Sequence, residues 1–355
     1  MIDTIAVVEP DQIGRIKGDA AGQTFLMLEE GRKFVASRVT AHVGGGGVNT
    51  AVCLQRLGFS VHCVVKLGRD DRSILVRATL AREGVSDEFI REHPDRATGA
   101  SVIVSAQDNN AAILTYRGAN SELRANDLPI PTWSPDIVYI AGLSDDSAEL
   151  LPALIERYAV PGSSVSVNPG IRQLTERIGD LTRAFVGVKN LFVNVDEAFV
   201  LVRRLMRLQP SPTDAARQVA STPVGELMRR GFASDGLHMS LPHFFECLLA
   251  TGPDCIVVTD GARGAYTATR SEMTFCSALQ VPVAGTAGAG DAFNATFAAR
   301  RWRGEILEQA LRAATFNASS VIGHADTLSG LLTQQELDAA TKTPTTSMET
   351  HSWRF

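Results

Sequence analysis

The run Val283-Ala284-Gly285-Thr286-Ala287-Gly288-Ala289-Gly290-Asp291-Ala292-Phe293 places a glycine-rich turn, an acid and the start of a helix in immediate succession. The first turn of a helix carries unpaired N–H groups and a partial positive charge, so it can hold a polyphosphate while charge shifts during transfer. Asp291 then lies beside the phosphate, placed to take a proton from an attacking hydroxyl, with the Gly288, Ala289 and Gly290 backbone as anion hole. The plainer reading makes Asp291 a helix cap. Three small residues before it and a long apolar helix after it favour the chemical reading.

Gly44-Gly45-Gly46-Gly47-Val48-Asn49 is a second site of interest, since four glycines are costly in chain entropy and suit close approach of a ligand to the backbone. Glu197 follows Asn194 by three residues just beyond a strand. The pair fits either a helix capping box or a hydrated Mg²⁺, which takes few protein oxygens. Thr259, Gly261 and Gly264 fit a strand followed by a tight turn. Asn168-Pro169-Gly170-Ile171-Arg172 follows another strand, and Arg172 or Arg117 is either a surface arginine or a partner for an acidic substrate group.

Other chemistries are disfavoured. None of the five lysines follows a glycine, which excludes a P-loop. Gly288-Ala289-Gly290 lacks the third glycine of a dinucleotide fingerprint and lies far from the first strand. Seven scattered histidines show no zinc spacing, and five cysteines without a C-x-x-C pair read as buried thiols in a reducing cytoplasm. A net charge of -5, from 34 basic and 39 acidic residues spread along the chain, gives no footprint for nucleic acid. No apolar run reaches membrane-spanning length. The expected partner is therefore a small molecule, with neither nucleic acid nor membrane involved.

The elements that position these residues read as α/β. At 355 residues and 45% hydrophobic content the chain can bury one large core or two smaller ones. Short apolar runs over 136–141, 164–167, 191–194, 255–259 and 279–283 alternate with amphipathic stretches, which implies a mainly parallel sheet covered by helices on both faces. Segments at about 9–41 and 95–120 are β-rich without helices and form a small second sheet. An atypical helical insertion is expected over about 203–245, as a surface unit or a partner-binding patch, and a disordered tail over 344–355.

Gly-Ala-Gly-Asp with the following Ala292-Phe293 resembles the C-terminal signature of the ribokinase-like, or PfkB, carbohydrate kinases, and Gly44 to Ala51 resembles their N-terminal one. Asn194-Val195-Asp196-Glu197 is similar to the family's Asn-x-x-Glu, and Thr259 to Gly264 to its nucleotide-side turn. The resemblance spans nearly the whole chain and implies a ribokinase-like domain over 1–343 whose small β sheet is a lid over the sugar site, with a homodimer through that lid as an option. It implies ATP and Mg²⁺ as cofactors, Asp291 as base, and Gly44, Gly45, Gly46 and Asn49 around the sugar. Asn168 and Arg117 are added to the sugar side. Asn194, Thr259, Gly261 and Gly264 fall on the nucleotide side, Asn317 either near adenine or packed internally, and Glu197 with Asn194 at the metal.

Three departures matter. Gly46 stands where ribokinases have lysine, which puts ribose itself in doubt. Gly285 stands where potassium-responsive members have an aspartate, so monovalent-cation dependence is expected to be weak. The family's sugar-binding aspartate follows its first strand; Asp3 matches it with that strand missing from this sequence, and the alternative makes Ile5 to Val8 the first strand and Asp11 the ligand. The function implied is ATP-dependent phosphorylation of a sugar hydroxyl. A nucleoside (adenosine-like) kinase and a non-catalytic sugar- or nucleotide-binding regulator are the alternatives.

Overall fold

A computed structural model describes the chain except residues 18–23, 106–110, 130–132, 178–184, 209–223, 235–236, 343–347 and 355. Seven strands make the main sheet: β9 (Ile137–Ile140), β10 (Ser164–Val167), β11 (Val188–Asn194), β14 (Cys255–Thr259), β15 (Ala265–Ala268), β16 (Glu272–Cys276) and β17 (Thr350–Arg354), in the order β17-β16-β15-β14-β11-β10-β9. Pairing is parallel from β9 through β10 and β11 to β14, then antiparallel out to β17. The helices are α1 (Gly46–Arg56), α2 (Asp71–Arg82), α3 (Leu151–Tyr158), α4 (Val195–Leu208), α5 (Glu226–Arg230), α6 (Leu241–Leu249), α7 (Ala289–Trp302), α8 (Leu307–Ile322) and α9 (Gln334–Lys342).

Strand alternation builds a core on each face of this sheet. Ile256 and Val258 of β14 pack with Leu201, Phe244 and Phe245 of α4 and α6. Their neighbours Cys255 and Val257 point the other way, onto Phe293, Phe297 and Leu311 of α7 and α8. Such two-sided burial explains why these strands are continuously apolar rather than alternating. The expected helix-covered α/β layering is what forms. No described helix is long and apolar enough to cross a membrane.

The second sheet, expected as a lid, has the order β4-β1-β7-β8: β1 (Ile2–Val8) pairs antiparallel with β4 (Ala36–Val43) and parallel with β7 (Ala100–Ser105), which pairs with β8 (Ala111–Tyr116). A hairpin of β2 (Gly14–Lys17) and β3 (Thr24–Met27) lies beside it in sequence. Two smaller pairs complete the set: β5 (Lys66–Leu67) with β6 (Arg91–Glu92), and β12 (Phe232–Ser234) with β13 (Leu237–Met239).

Several expectations need correction. The lid begins at Ile2 rather than at residue 9, because β1 zips onto β4 along its full length. Ile5 to Val8 is thus a lid strand and not the first strand of the main sheet, and Asp11 sits exposed in a short turn. Residues 279–283 make no strand: sheet pairing stops at Cys276, and Pro282 has no N–H for a ladder. The segment expected as a surface insertion over 203–245 feeds the main core through Leu205, Leu227, Phe232, Met239 and Phe244, so these five are buried rather than displayed; residues 209–223 lie outside the described part. The tail is also ordered in part. Thr350–Arg354 pairs along β16, and Trp353 is buried, so aromatic burial and a sheet edge outweigh a polar composition.

The main sheet stops abruptly at β9. The amide of Ser164 bonds the Asp136 carbonyl and that of Asn168 the Ile140 carbonyl, so by strand alternation the Ile137 and Tyr139 backbone points away from β10. Across the gap, Val61, Cys63, Val65 and Leu67 spend their backbone groups on residues 86–93, leaving those of His62, Val64 and Lys66 turned to β9. Residues 61–67 and 136–144 line one continuous cavity of about 870 Å³.

Candidate active site

That cavity reaches under the lid to the N-terminus of α7. Gly288 caps the helix at φ 80°, in the left-handed region that favours glycine, and a Cβ there would strike Thr327 at 2.7 Å. A Cβ on Gly290 would meet nothing within 4 Å, so the first turn of α7 faces open space where an anion can approach the N–H groups. Asp291 is the third helical residue. Its carboxylate accepts 2.7 Å from Asn49 Nδ2, which joins α7 to the first turn of α1.

The glycine loop is shaped by this meeting. Gly45 caps α1 at φ 97°. A Cβ on Gly46 would lie 3.3 Å from both Asp291 Oδ1 and the Ala141 side chain, and one on Gly44 would overlap the Asp3 carboxylate. Close packing around two carboxylates, rather than flexibility, accounts for the glycines. Asp3, in β1, accepts from Ser101 Oγ of the neighbouring β7. Burial raises the pKa of Asp291 above the usual carboxylate range; the Asn49 bond opposes this and the charge of Asp3 adds to it.

The structure thus brings together Asp3, Gly44, Gly45, Gly46, Asn49, Gly288 and Asp291 around one cavity, and exposed Arg117 lines the same space from the end of β8. Three further cavity residues have no motif around them: Ser101, Tyr139 and Thr327. Their only sequence signal was strand character for the first two and none for Thr327.

Other expected residues fall elsewhere. Asn317 is fully buried; its Nδ2 donates to Thr296 Oγ1 at 2.8 Å and its Oδ1 accepts from the Leu332 amide at 2.9 Å. With both amide ends spent on packing, it is a core residue and not an adenine contact. Asn168 does not line the cavity: its Nδ2 donates 3.0 Å to the Phe192 carbonyl, bridging β10 to β11. Arg172 is exposed and pairs with Asp145. Asp70, in the turn before α2, caps that helix through the Ser73 amide and also accepts from Thr98.

Asn194 and Glu197 form a reciprocal capping box at the start of α4, each side chain accepting 2.9 Å from the other's backbone amide. Burial pushes the Glu197 carboxyl up to about 7, against the lowering effect of the Asn194 amide. Thr259, Gly261 and Gly264 sit at the end of β14 and in the turn beyond it, outside the described cavity. Gly264, at φ 110°, would drive a Cβ into the Cys276 carbonyl, which makes it a packing glycine; Gly261 is exposed with open space above it. No group of three or more His, Cys, Asp or Glu suited to a metal occurs among the described residues.

An acid at a helix N-terminus, an amide from a second glycine-started helix and a small β sheet thus meet around one cavity. The model of the pfkB family of carbohydrate kinases fits residues 14–222 and 243–334. The chain belongs to this family. Among its relatives, an uncharacterized sugar kinase of Archaeoglobus fulgidus is 23% identical over 274 residues, covering 76% of this chain and 94% of that one. The ribokinase of Thermotoga maritima superposes with a TM-score of 0.72 at 19% identity, over 96% of each chain. Arabidopsis thaliana ribokinase, solved with ribose and ATP, gives 0.65 at 18% identity over 97% of this chain and 96% of that one. The pfkB chain described here therefore has the ribokinase-like fold and is a carbohydrate kinase by family.

Proposed function

We propose that this pfkB kinase transfers the γ-phosphoryl group of ATP to a hydroxyl of a sugar or sugar-like molecule, with Asp291 as base. The observation that carries the reading is the Asp291 carboxylate held by Asn49 at the open first turn of α7. The acceptor hydroxyl lies between Asp291 and Asp3, with Gly44, Gly45 and Gly46 close enough for backbone contact. Asp291 takes its proton as the oxygen attacks the γ-phosphorus, and the N–H groups of Ala289, Gly290 and Asp291 hold the charge as ADP leaves. Arg117 is placed for an acidic or hydroxyl-rich end of the substrate.

A nucleoside acceptor is the second reading. Phe89 and Trp133 are among the cavity's lining residues, aromatic faces that suit a base. ATP-dependent ADP release over a panel of sugars and nucleosides tests both. Ligand binding without turnover across the panel would leave a binding regulator as the answer. The outer lid face exposes Val39, Val102, Leu114 and Tyr116, a patch fit for a second copy; sedimentation of a Leu114→Glu variant as the same species as wild type would remove the dimer.

Thr259 and Gly261 border the nucleotide side in this reading. Asn194 and Glu197 would hold a hydrated Mg²⁺, since the capping box engages Glu197 Oε2 and leaves its Oε1 available. Mg²⁺ supplies charge neutralisation for the polyphosphate. Glu197→Gln is expected to raise the Mg²⁺ concentration for half-maximal rate more than it changes sugar affinity. A Mg²⁺ titration that does not move would return Glu197 to capping alone.

Gly285 carries no carboxylate, and a Cβ there would lie 2.9 Å from the His324 carbonyl oxygen and 3.3 Å from that of Ala325. Potassium is therefore expected to stimulate kcat little at constant ionic strength. Strong stimulation would show that these carbonyls suffice.

A further inference from the structure

Asn49 is buried with both ends of its amide engaged: Nδ2 donates to Asp291 at 2.7 Å, and Oδ1 accepts from Thr327 Oγ1 at 2.9 Å. Thr327 is itself buried and lies 3.1 Å from a second acceptor, the Val43 carbonyl. Its segment is pinned by Asp326, whose Oδ1 accepts from the amides of Leu328 and Ser329 at 2.9 and 2.7 Å. Thr327 also packs on Gly288, the cap of the anion turn. Thr327 thus meets the partner of Asp291 through its hydroxyl and lies against the cap of α7 through its carbon atoms.

We propose that Thr327 is a positioning residue: through Asn49 it holds the Asp291 carboxylate in its ionised, aimed state. This rests on Asp291 being the base. An amide has two orientations, and only the one with Nδ2 toward Asp291 suits a carboxylate, because an amide oxygen facing it would be repelled. A donor on the far side of Asn49 selects that orientation, and Thr327 is that donor.

Thr327→Val keeps the shape and deletes the hydroxyl. Its expected effect is a kcat about tenfold lower, the scale of one buried hydrogen bond, with KM for ATP little changed. The acid limb of the kcat against pH profile moves to higher pH, because burial of Asp291 is then less well opposed by Asn49. Thr327→Ser restores both the rate and the limb. An acid limb that stays at its wild-type position in Thr327→Val, or a failure of Thr327→Ser to restore it, overturns the proposal and leaves a packing role. Should Thr327→Val not fold, Thr327→Ala carries the same measurement. An active Asp291→Asn would instead overturn the base assignment, so the two failures are distinguishable.

Discussion

Asp291→Asn is expected to lower kcat by roughly 10²- to 10⁴-fold, the usual worth of a placed general base, while ATP binding stays close to wild type. The amide keeps the size of the carboxylate, and the backbone N–H groups at the start of α7 are untouched. What it loses is the ability to accept a proton. The wild-type rate should rise with pH through the pKa of Asp291, which burial places above the ordinary carboxylate range, because only the ionised form acts as base. That acid limb should vanish with the residual activity of Asp291→Asn. Turnover within a few-fold of wild type would remove Asp291 from the base role.

The second large effect is expected from filling the slot between β9 and residues 61–67. Two sheet edges there turn unpaired backbone groups toward one cavity, and the Met1 amino group lies in its wall, donating 3.0 Å to the Gly44 carbonyl. An alternately apolar strand of about five residues, joined ahead of Met1 through a short turn, can bond both edges. At about 1 kcal/mol per hydrogen bond, less about 1.5 kcal/mol for ordering each residue, the backbone terms nearly cancel. Side chains entering the cavity add about 1.5 to 3 kcal/mol each, enough to raise Tm by roughly 5 °C or more. Sugar affinity should rise with it, because the small sheet that carries Asp3 and leads into Gly44 is then anchored to the main one. A Gly/Ser extension of equal length is the control. Equal Tm for the two extensions would show that the slot does not take a strand.

Much of this is legible in the amino-acid sequence. The glycine turn, Asp291 and the following helix are adjacent in sequence, so local backbone rules suffice to read them, and the strands at 164–167 and 255–259 follow from short apolar runs between breakers. The loop Gly44 to Asn49 was readable as a place of close approach, though what approaches it was not.

Contacts across long sequence separations were the hidden part. That Asn49 donates to Asp291, 242 residues away, depends on how α1 packs on α7, and no periodicity encodes it. Thr327 gained its place the same way, through a turn whose partners are 278 and 284 residues distant. Asn317 looked equally suited to a ligand or to the core, and only its filled hydrogen-bond set decided between them. The polar tail became β17 because a free edge at β16 and a pocket for Trp353 were available, which composition cannot report. Sequence by itself determined the local chemistry of the anion turn and the layered fold, since both arise from nearest-neighbour sterics and burial. Tertiary structure alone decided which side chains face one another, because pairing energy is set by geometry that distant segments supply together.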